Sequence, residues 1–498
     1  MTVSIVSDLR RRLAAVTLAL MVAAFVTACG GSTGTGPGGI GESGASLVSA
    51  DAVAYVSVDS DLGSDRWQQV DTLLKKFPIH DKLLDELKQA LAEHRLDYEN
   101  DVKPALGPEL DVAALPSSSA EEPPYAAFTK PDSMEKAKAL VRKLDEGSTP
   151  SATREVDGWL FVADTQAMID RVLKGAGSPL SDDGRFKDAF GQLPENSLAK
   201  VYANGPELSK LLQSFSAVAQ TAAFQGSDAN KLDWVAIAAF PEDDGLKIEG
   251  DAKSTTGGSL LGPAYASKLI SGVPADALAF LSYHGGSSSD PLSQLRQSPS
   301  FNEGLRQFEQ ELGVPLDTVL ALFKHETAFY VRHGPGLPEF SLVLETPDME
   351  SALMTIDRLS VRVSKLTSAR LGSEHEDGLA VETLDFGPVT VRWAGFEGRV
   401  LLTTSPTGIT DYRSSGDKLS DDASYRQALD NAGAPDATNG LAYVKVADIA
   451  RLIANYAGLA GSEIPPELEP NLKPLRSFVA YTGSDGDLTT FSAFLEIK

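Results

Sequence analysis

Short runs of alternating apolar residues, and longer runs with an apolar residue every third or fourth position, divide the chain into strands and helices. Alternation over 52–58 predicts a strand. Trp67, Val70, Leu73, Leu74 and Phe77 then share one face of a helix that Asp65 would cap. Leu83, Leu84, Leu87 and Leu91 mark a second helix, and 98–106 a third, short one. Strands are expected at 110–115 and 125–129, around a Pro/Ser/Glu loop at 116–124. A helix at 133–144, a strand at 159–163 and a helix at 166–173 come next. Past a polar turn at 178–184 lie a strand at 198–202 and a helix at 206–215. A hairpin of 233–240 with 246–251 turns at Glu242-Asp243-Asp244-Gly245.

The order then repeats. Ala50-Asp51-Ala52-Val53-Ala54-Tyr55-Val56-Ser57 returns as Ala275-Asp276-Ala277-Leu278-Ala279-Phe280-Leu281-Ser282. Asp290-Pro291 would open a helix, and Phe301, Leu305, Phe308 and Leu312 line the next one. Strands are expected at 328–331 and 340–344. Thr346-Pro347-Asp348 answers Lys130-Pro131-Asp132, and Gly398-Arg399-Val400-Leu401-Leu402 answers Gly158-Trp159-Leu160-Phe161-Val162. Tyr425–Leu429 answers Phe186–Phe190, 441–446 answers 198–203, and 478–482 with 489–497 close the chain as a hairpin. An offset of about 225 residues is a duplicated domain rather than a solenoid repeat. The expected fold class is α+β. Two homologous lobes would each hold a mainly antiparallel or mixed sheet with helices packed on one side. The expected boundaries are a signal peptide at 1–28, a tether at 29–46, lobes at 47–253 and 273–498, and a Ser/Thr/Gly-containing linker at 254–272. Asp51 and Asp276 read as turns that open a strand.

The N-terminus changes the picture. Arg10, Arg11 and Arg12 precede an apolar run from Leu13 to Phe25, the layout of a secretory signal. It ends in Val26-Thr27-Ala28-Cys29-Gly30, which resembles the lipobox of bacterial lipoproteins. Val26 departs from the commoner Leu, and Thr27 is a less usual choice. The resemblance implies cleavage before Cys29 and acylation of that cysteine, the only one in the chain. Several acyl chains, at about 0.8 kcal/mol per buried CH₂, give stable anchoring. Gly30 to Ser46 is Gly/Ser/Thr-rich and reads as a flexible tether.

Composition is that of a globular protein, with 42% hydrophobic and 23% charged residues. The net charge of −25 argues against a broad basic face for nucleic acid or anionic lipid. Removing Met1–Ala28 takes away three Arg and one Asp, which moves that charge to −27. With one cysteine there is no intramolecular disulfide and no Cys-rich metal site.

Candidate chemistry is sparse. Asp59-Ser60-Asp61-Leu62-Gly63-Ser64-Asp65 has alternating carboxylates, but it lacks the spacing and the final Glu of a calcium loop. Turn and cap account for it more simply. Asp59 and Asp61 stay as the candidate acid and base of a glycosidase-type site. His284 sits beside Ser287 in a Gly/Ser turn, which is no catalytic triad. None of the six histidines pairs at a metal-binding spacing, and no phosphate-binding or dinucleotide motif appears. Trp67, Trp159, Trp234 and Trp393 read as core. No cofactor, metal or catalytic residue is assigned.

The Ala-Asp-Ala-x-Ala-aromatic run, the Lys130-Pro131-Asp132 helix opening, the duplicated layout and the lipobox together resemble a family of bacterial envelope proteins catalogued as a domain of unknown function. The resemblance spans Val48 to Lys498 and implies location rather than mechanism. The expectation is a non-enzymatic lipoprotein on the outer face of the cell membrane, held by Cys29, that binds an apolar or envelope ligand or a protein partner. An envelope-polymer hydrolase and a solute-binding protein are the alternatives.

Overall fold

The computed structural model describes residues 40–116, 123–146, 149–173, 178–214, 231–257, 261, 264–285, 299–459 and 465–498. The signal peptide, Cys29, most of the tether and the Asp290-Pro291 helix opening lie outside them. Contacts divide the described residues into two compact units. The first runs to residue 256 and includes 497–498, and the second covers 257–496.

The first unit carries β1 (Ala54–Asp59), β2 (Glu109–Ala114), β3 (Tyr125–Thr129), β4 (Ala152–Val156), β5 (Trp159–Ala163), β6 (Ala199–Asn204), β7 (Leu232–Glu242) and β8 (Gly245–Ser254). All pair antiparallel in the order β4-β5-β3-β2-β1-β6-β7-β8, so the opening strand is central. The second unit begins with β9 (Ala279–His284), β10 (Glu326–Arg332), β11 (Glu339–Glu345), β12 (Arg370–Glu376) and β13 (Leu379–Asp385). It continues with β14 (Thr390–Phe396), β15 (Arg399–Thr403), β16 (Gly440–Lys445), β17 (Leu475–Asp485) and β18 (Leu488–Ile497). Its order is β12-β13-β14-β15-β11-β10-β9-β16-β17, again with the opening strand central. The β12–β13 hairpin has no counterpart in the first unit.

Two features of the expected fold class are corrected. Hydrogen bonds link all eighteen strands into one antiparallel sheet, not into a separate sheet for each lobe. Alternation along a strand reports which of its faces is buried, but not where a sheet stops. Helices also pack on both faces. In the second unit the helices Gly408–Arg413 and Ala423–Ala432 cover Phe280, Tyr330, Leu401 and Tyr443. The helix Met349–Thr367 covers Leu344, Trp393 and Val400 on the opposite face. A strand buried on both faces reads as a continuous apolar run, and Trp159-Leu160-Phe161-Val162 is one.

The face that carries Tyr55 is the aromatic core of the first unit. Phe128 stacks on Phe161 at 4.5 Å, Phe186 stacks on Phe190 at 4.2 Å, and Tyr55 and Tyr202 meet Phe186 edge-on. Full burial of a side chain of this size contributes about 1.5–3 kcal/mol. Both units seat their covering helix the same way. Leu180-Ser181-Asp182-Asp183 and Leu419-Ser420-Asp421-Asp422 form a 3₁₀ turn whose last Asp caps the next helix. The helix Asp65–Leu74 is capped by Ser64, not Asp65. Asp157-Gly158, Asp377-Gly378 and Glu397-Gly398 each place two successive residues at positive φ, the turn that a two-residue hairpin requires.

Candidate functional site

In each unit a short lead-in segment lies across the sheet and is tied down by a buried glutamate at the start of its second strand. Glu109 accepts from Gly41 N at 2.6 Å and Ser43 Oγ at 2.8 Å, while Tyr55 OH donates to Gly41 O at 2.9 Å. Glu326, the equivalent residue, accepts from Ser267 Oγ (2.5 Å), Lys268 N (2.9 Å), Leu269 N (3.2 Å) and Ser282 Oγ (3.2 Å). A carboxylate that takes up backbone N–H groups leaves no buried donor unsatisfied, which is why the segment can close over the sheet.

Beneath the first lead-in runs a polar row, Asp111–Ser57–Lys200, set by the register of β2, β1 and β6. All three are buried. The row lies so close to the lead-in that a Cβ on Gly44 would come 1.8 Å from Asp111 Oδ2. Neither Asp111 oxygen nor Ser57 Oγ meets a partner in hydrogen-bonding geometry. Burial, and then the charge of Glu109, push the Asp111 carboxyl well above the usual carboxylate range, against the pull of the Ser57 and Tyr55 hydroxyls. Burial holds the Lys200 ammonium below its ordinary value, and this group sits 5.7 Å over the Phe190 ring. A carboxyl buried under a closed segment is out of reach of a substrate. In the second unit the same row is Ala328–Ser282–Leu441.

The residues singled out by sequence are not brought together as a reaction centre. Asp59 is fully buried and pairs with Arg66 at 2.7 Å, while also accepting from Ser64 Oγ at 2.8 Å and Asp61 N at 3.0 Å. Burial raises its carboxyl despite Arg66. Asp61 accepts from Gly63 N at 3.0 Å, so the pair builds the turn into the Asp65–Leu74 helix rather than an acid and a base facing a substrate. His284 ends β9, 5.5 Å from the Tyr265 ring and 6.2 Å from His325. Asp276 binds Arg332 through both carboxylate oxygens, at 2.8 and 3.0 Å. All four tryptophans are buried. Among the described residues no group of three His, Cys, Asp or Glu could hold a metal ion, and no helix is long and apolar enough to cross a membrane.

Sequence reasoning missed Glu109, Asp111, Lys200 and Glu326. In Glu109-Leu110-Asp111-Val112 alternation suggests acids toward water, yet the acids face the covered core and Leu110 and Val112 face the other side, half-buried. The Leu-Ser-Asp-Asp identity was the legible signal that both units close alike.

The opposite sheet face is apolar in both units. One cross-strand row joins Val162, Ala127, Val112, Val56, Val201 and Ile237. Its equivalent joins Leu402, Leu342, Phe329, Leu281 and Ala442. The second row lies between two helices. Leu342 and Leu402 pack toward Met349–Thr367, while Phe329 packs toward Ile449, Leu452 and Tyr456 of the helix Val446–Leu459. Cover is incomplete: Leu281 is 42% exposed, Phe340 43%, and Ile453 on the helix 64%. Tyr283 is also exposed, whereas its equivalent Val58 is buried.

Fold and site thus define a protein of two units with the same strand order, without an assembled catalytic centre among the described residues. The chain belongs to the family described as "Protein of unknown function (DUF3352)", matched over residues 13–167 and 141–497. The two overlapping matches mark a duplicated domain of unknown function. No curated protein matches the chain. Two solved structures, crystal forms III and IV of TP0453, are similar at 10% identity with TM-scores of 0.23 and 0.22. They cover 46% of this chain and 92% and 93% of their own. Scores this low support no conclusion about this chain.

Proposed function

We propose that the protein is a non-enzymatic lipoprotein, anchored through Cys29 on the outer face of the cell membrane, that holds an acyl-chain ligand on the apolar sheet face of its second unit. The observation that carries this reading is the row Leu402–Leu342–Phe329–Leu281–Ala442, flanked by two helices yet open at Leu281 and Phe340. Exposed apolar surface marks a binding site, and an apolar cross-strand row between two helices fits a hydrocarbon chain. The lipobox-like Val26-Thr27-Ala28-Cys29 supports the anchor, and the segment from Gly30 would allow the units to reach the bilayer surface.

The test is mass spectrometry of lipid that stays with the full chain carrying Cys29→Ala, expressed with its export signal and purified without detergent. Acyl-chain lipid near one molecule per protein supports the reading. Protein free of lipid that also fails to take up a fluorescent fatty acid overturns it, leaving a protein partner as the occupant of that face. Fractionation tests the anchor separately. Native chain should sediment with membranes and Cys29→Ala should not be acylated; an unchanged mass on substitution contradicts the anchor.

A further inference from the structure

On the opposite face of the second unit lies an open groove of about 490 Å³. It forms where the tips of the β12–β13 and β14–β15 hairpins meet the helix Gly408–Arg413 and the lead-in turn at Ser271-Gly272. Because β12–β13 has no equivalent in the first unit, one wall of the groove is an addition specific to the second. In a chain of net charge −25, this groove gathers Arg399, Arg413 and Lys418. Neither arginine is bonded to a carboxylate among the described residues. Arg413 lies 5.5 Å over the Phe396 ring and reaches only the Asp377 carbonyl, at 3.5 Å. Arg399 is half-buried. Two acids, Asp377 and Glu397, also line the groove, and neither is bonded to these arginines through its carboxylate. The Asp377 carboxylate accepts from Thr410 Oγ1 at 2.9 Å, and Glu397 is exposed at a hairpin tip. Lys418 is a fixed charge, its ammonium donating to the carbonyls of Gly272, Asp411 and Tyr412 at 3.1, 2.8 and 3.0 Å.

We propose that this groove binds a phosphate monoester, with Arg399 and Arg413 clamping the phosphate and the Phe396 and Tyr412 rings lining the space for its organic part. Three cations on one groove repel one another, and the two carboxylates that also line it, Asp377 and Glu397, offset this only in part. An oxyanion removes that cost, and guanidinium groups match phosphate oxygens two at a time. A dianion suits two guanidiniums without a carboxylate partner and a fixed ammonium better than a carboxylate does. The volume falls within the range of about 300–1,000 Å³ for small-ligand sites. The groove shares no residue with the apolar row Leu402–Leu342–Phe329–Leu281–Ala442, so each reading can fail without the other.

Calorimetric titration of the full-length protein in detergent with glycerol 3-phosphate, and with a short-chain phosphatidic acid, tests it. The native chain should bind both, and Arg399→Gln and Arg413→Gln should each weaken binding by about tenfold or more. Arg142→Gln, on an exposed helix of the other unit, should leave binding unchanged. Equal affinity for the two ligands identifies a free phosphate ester; markedly tighter phosphatidic acid identifies a lipid headgroup. Both outcomes support the phosphate site. Arg413 is exposed, so its substitution spares the fold, and a matching melting curve verifies this. No binding of either ligand, or binding indifferent to both arginines, overturns the proposal.

Discussion

The two units share a strand order, a central opening strand and a buried glutamate that fastens a lead-in segment, yet they differ on both faces of the sheet. On the covered face the first unit keeps Asp111–Ser57–Lys200 where the second has Ala328–Ser282–Leu441. On the other face Val56 and Val58 are replaced by the more exposed Leu281 and Tyr283. The first unit therefore carries buried polar strain under a closed segment, and the second carries open apolar surface. The difference teaches that the repeated elements are scaffold, and that divergence is written in residues one register row apart.

The largest expected effect separates the two fastenings. Glu326 receives four hydrogen bonds and Glu109 two. Glu326→Ala should lose about 3–5 kcal/mol and Glu109→Ala about 2–3 kcal/mol in urea unfolding, since each leaves buried donors unpaired. Equal losses would break the comparison. Next comes Gly44→Ala, whose Cβ has no room against Asp111. It should cost about 1–3 kcal/mol and expose 41–46 to protease. In an Asp111→Ala background, which copies Ala328, at least about half of that cost should return; strictly additive losses would place the clash elsewhere.

The pH dependence is subtler. The raised Asp111 carboxyl keeps its proton in the folded state after the unfolded chain has lost it. Its contribution to stability is therefore full below the ordinary carboxylate range and is lost as pH rises toward its folded value. Asp111→Asn should flatten that decline, matching the native chain in acid and exceeding it near neutrality. Parallel stability–pH curves would show that Asp111 is not buried as described. The smallest effect is expected for Lys200→Leu, which copies Leu441. It should change stability by no more than about 1 kcal/mol, because no ion pair is lost; a larger loss would give Lys200 a partner.

Strands such as β1, β5 and β16 were legible because their apolar residues are strongly patterned. The duplication was legible from the repeated opening run and the repeated order, whereas β4, β13 and β14 were not expected. Other parts were not legible either. The helix Met349–Thr367 leads into β12, whose residues Arg370 to His375 are all exposed, so no alternation marks that strand. Asp377-Gly378 was its only signal. Helices on both faces were hidden because runs such as Trp159–Val162 do not say which element covers which side. Asp59 and Asp61 stood out as a pair of acids, but their neighbour Arg66 and cap Ser64 explain them. Asp111 was invisible because an acid between Leu110 and Val112 looks solvent-facing unless the covering segment, far away in sequence, is known.

Leu281 and its equivalent Val56 test the open apolar face of the second unit most directly. Retained acyl-chain lipid should be measured for the full chain and for Leu281→Gln and Val56→Gln, together with unfolding stability. Leu281→Gln, at an already exposed position, should lose about tenfold of the lipid with little change in stability, while Val56→Gln should lower stability and keep the lipid. Lipid retention unaffected by Leu281→Gln, or lost equally in both variants, would contradict a lipid site on that face.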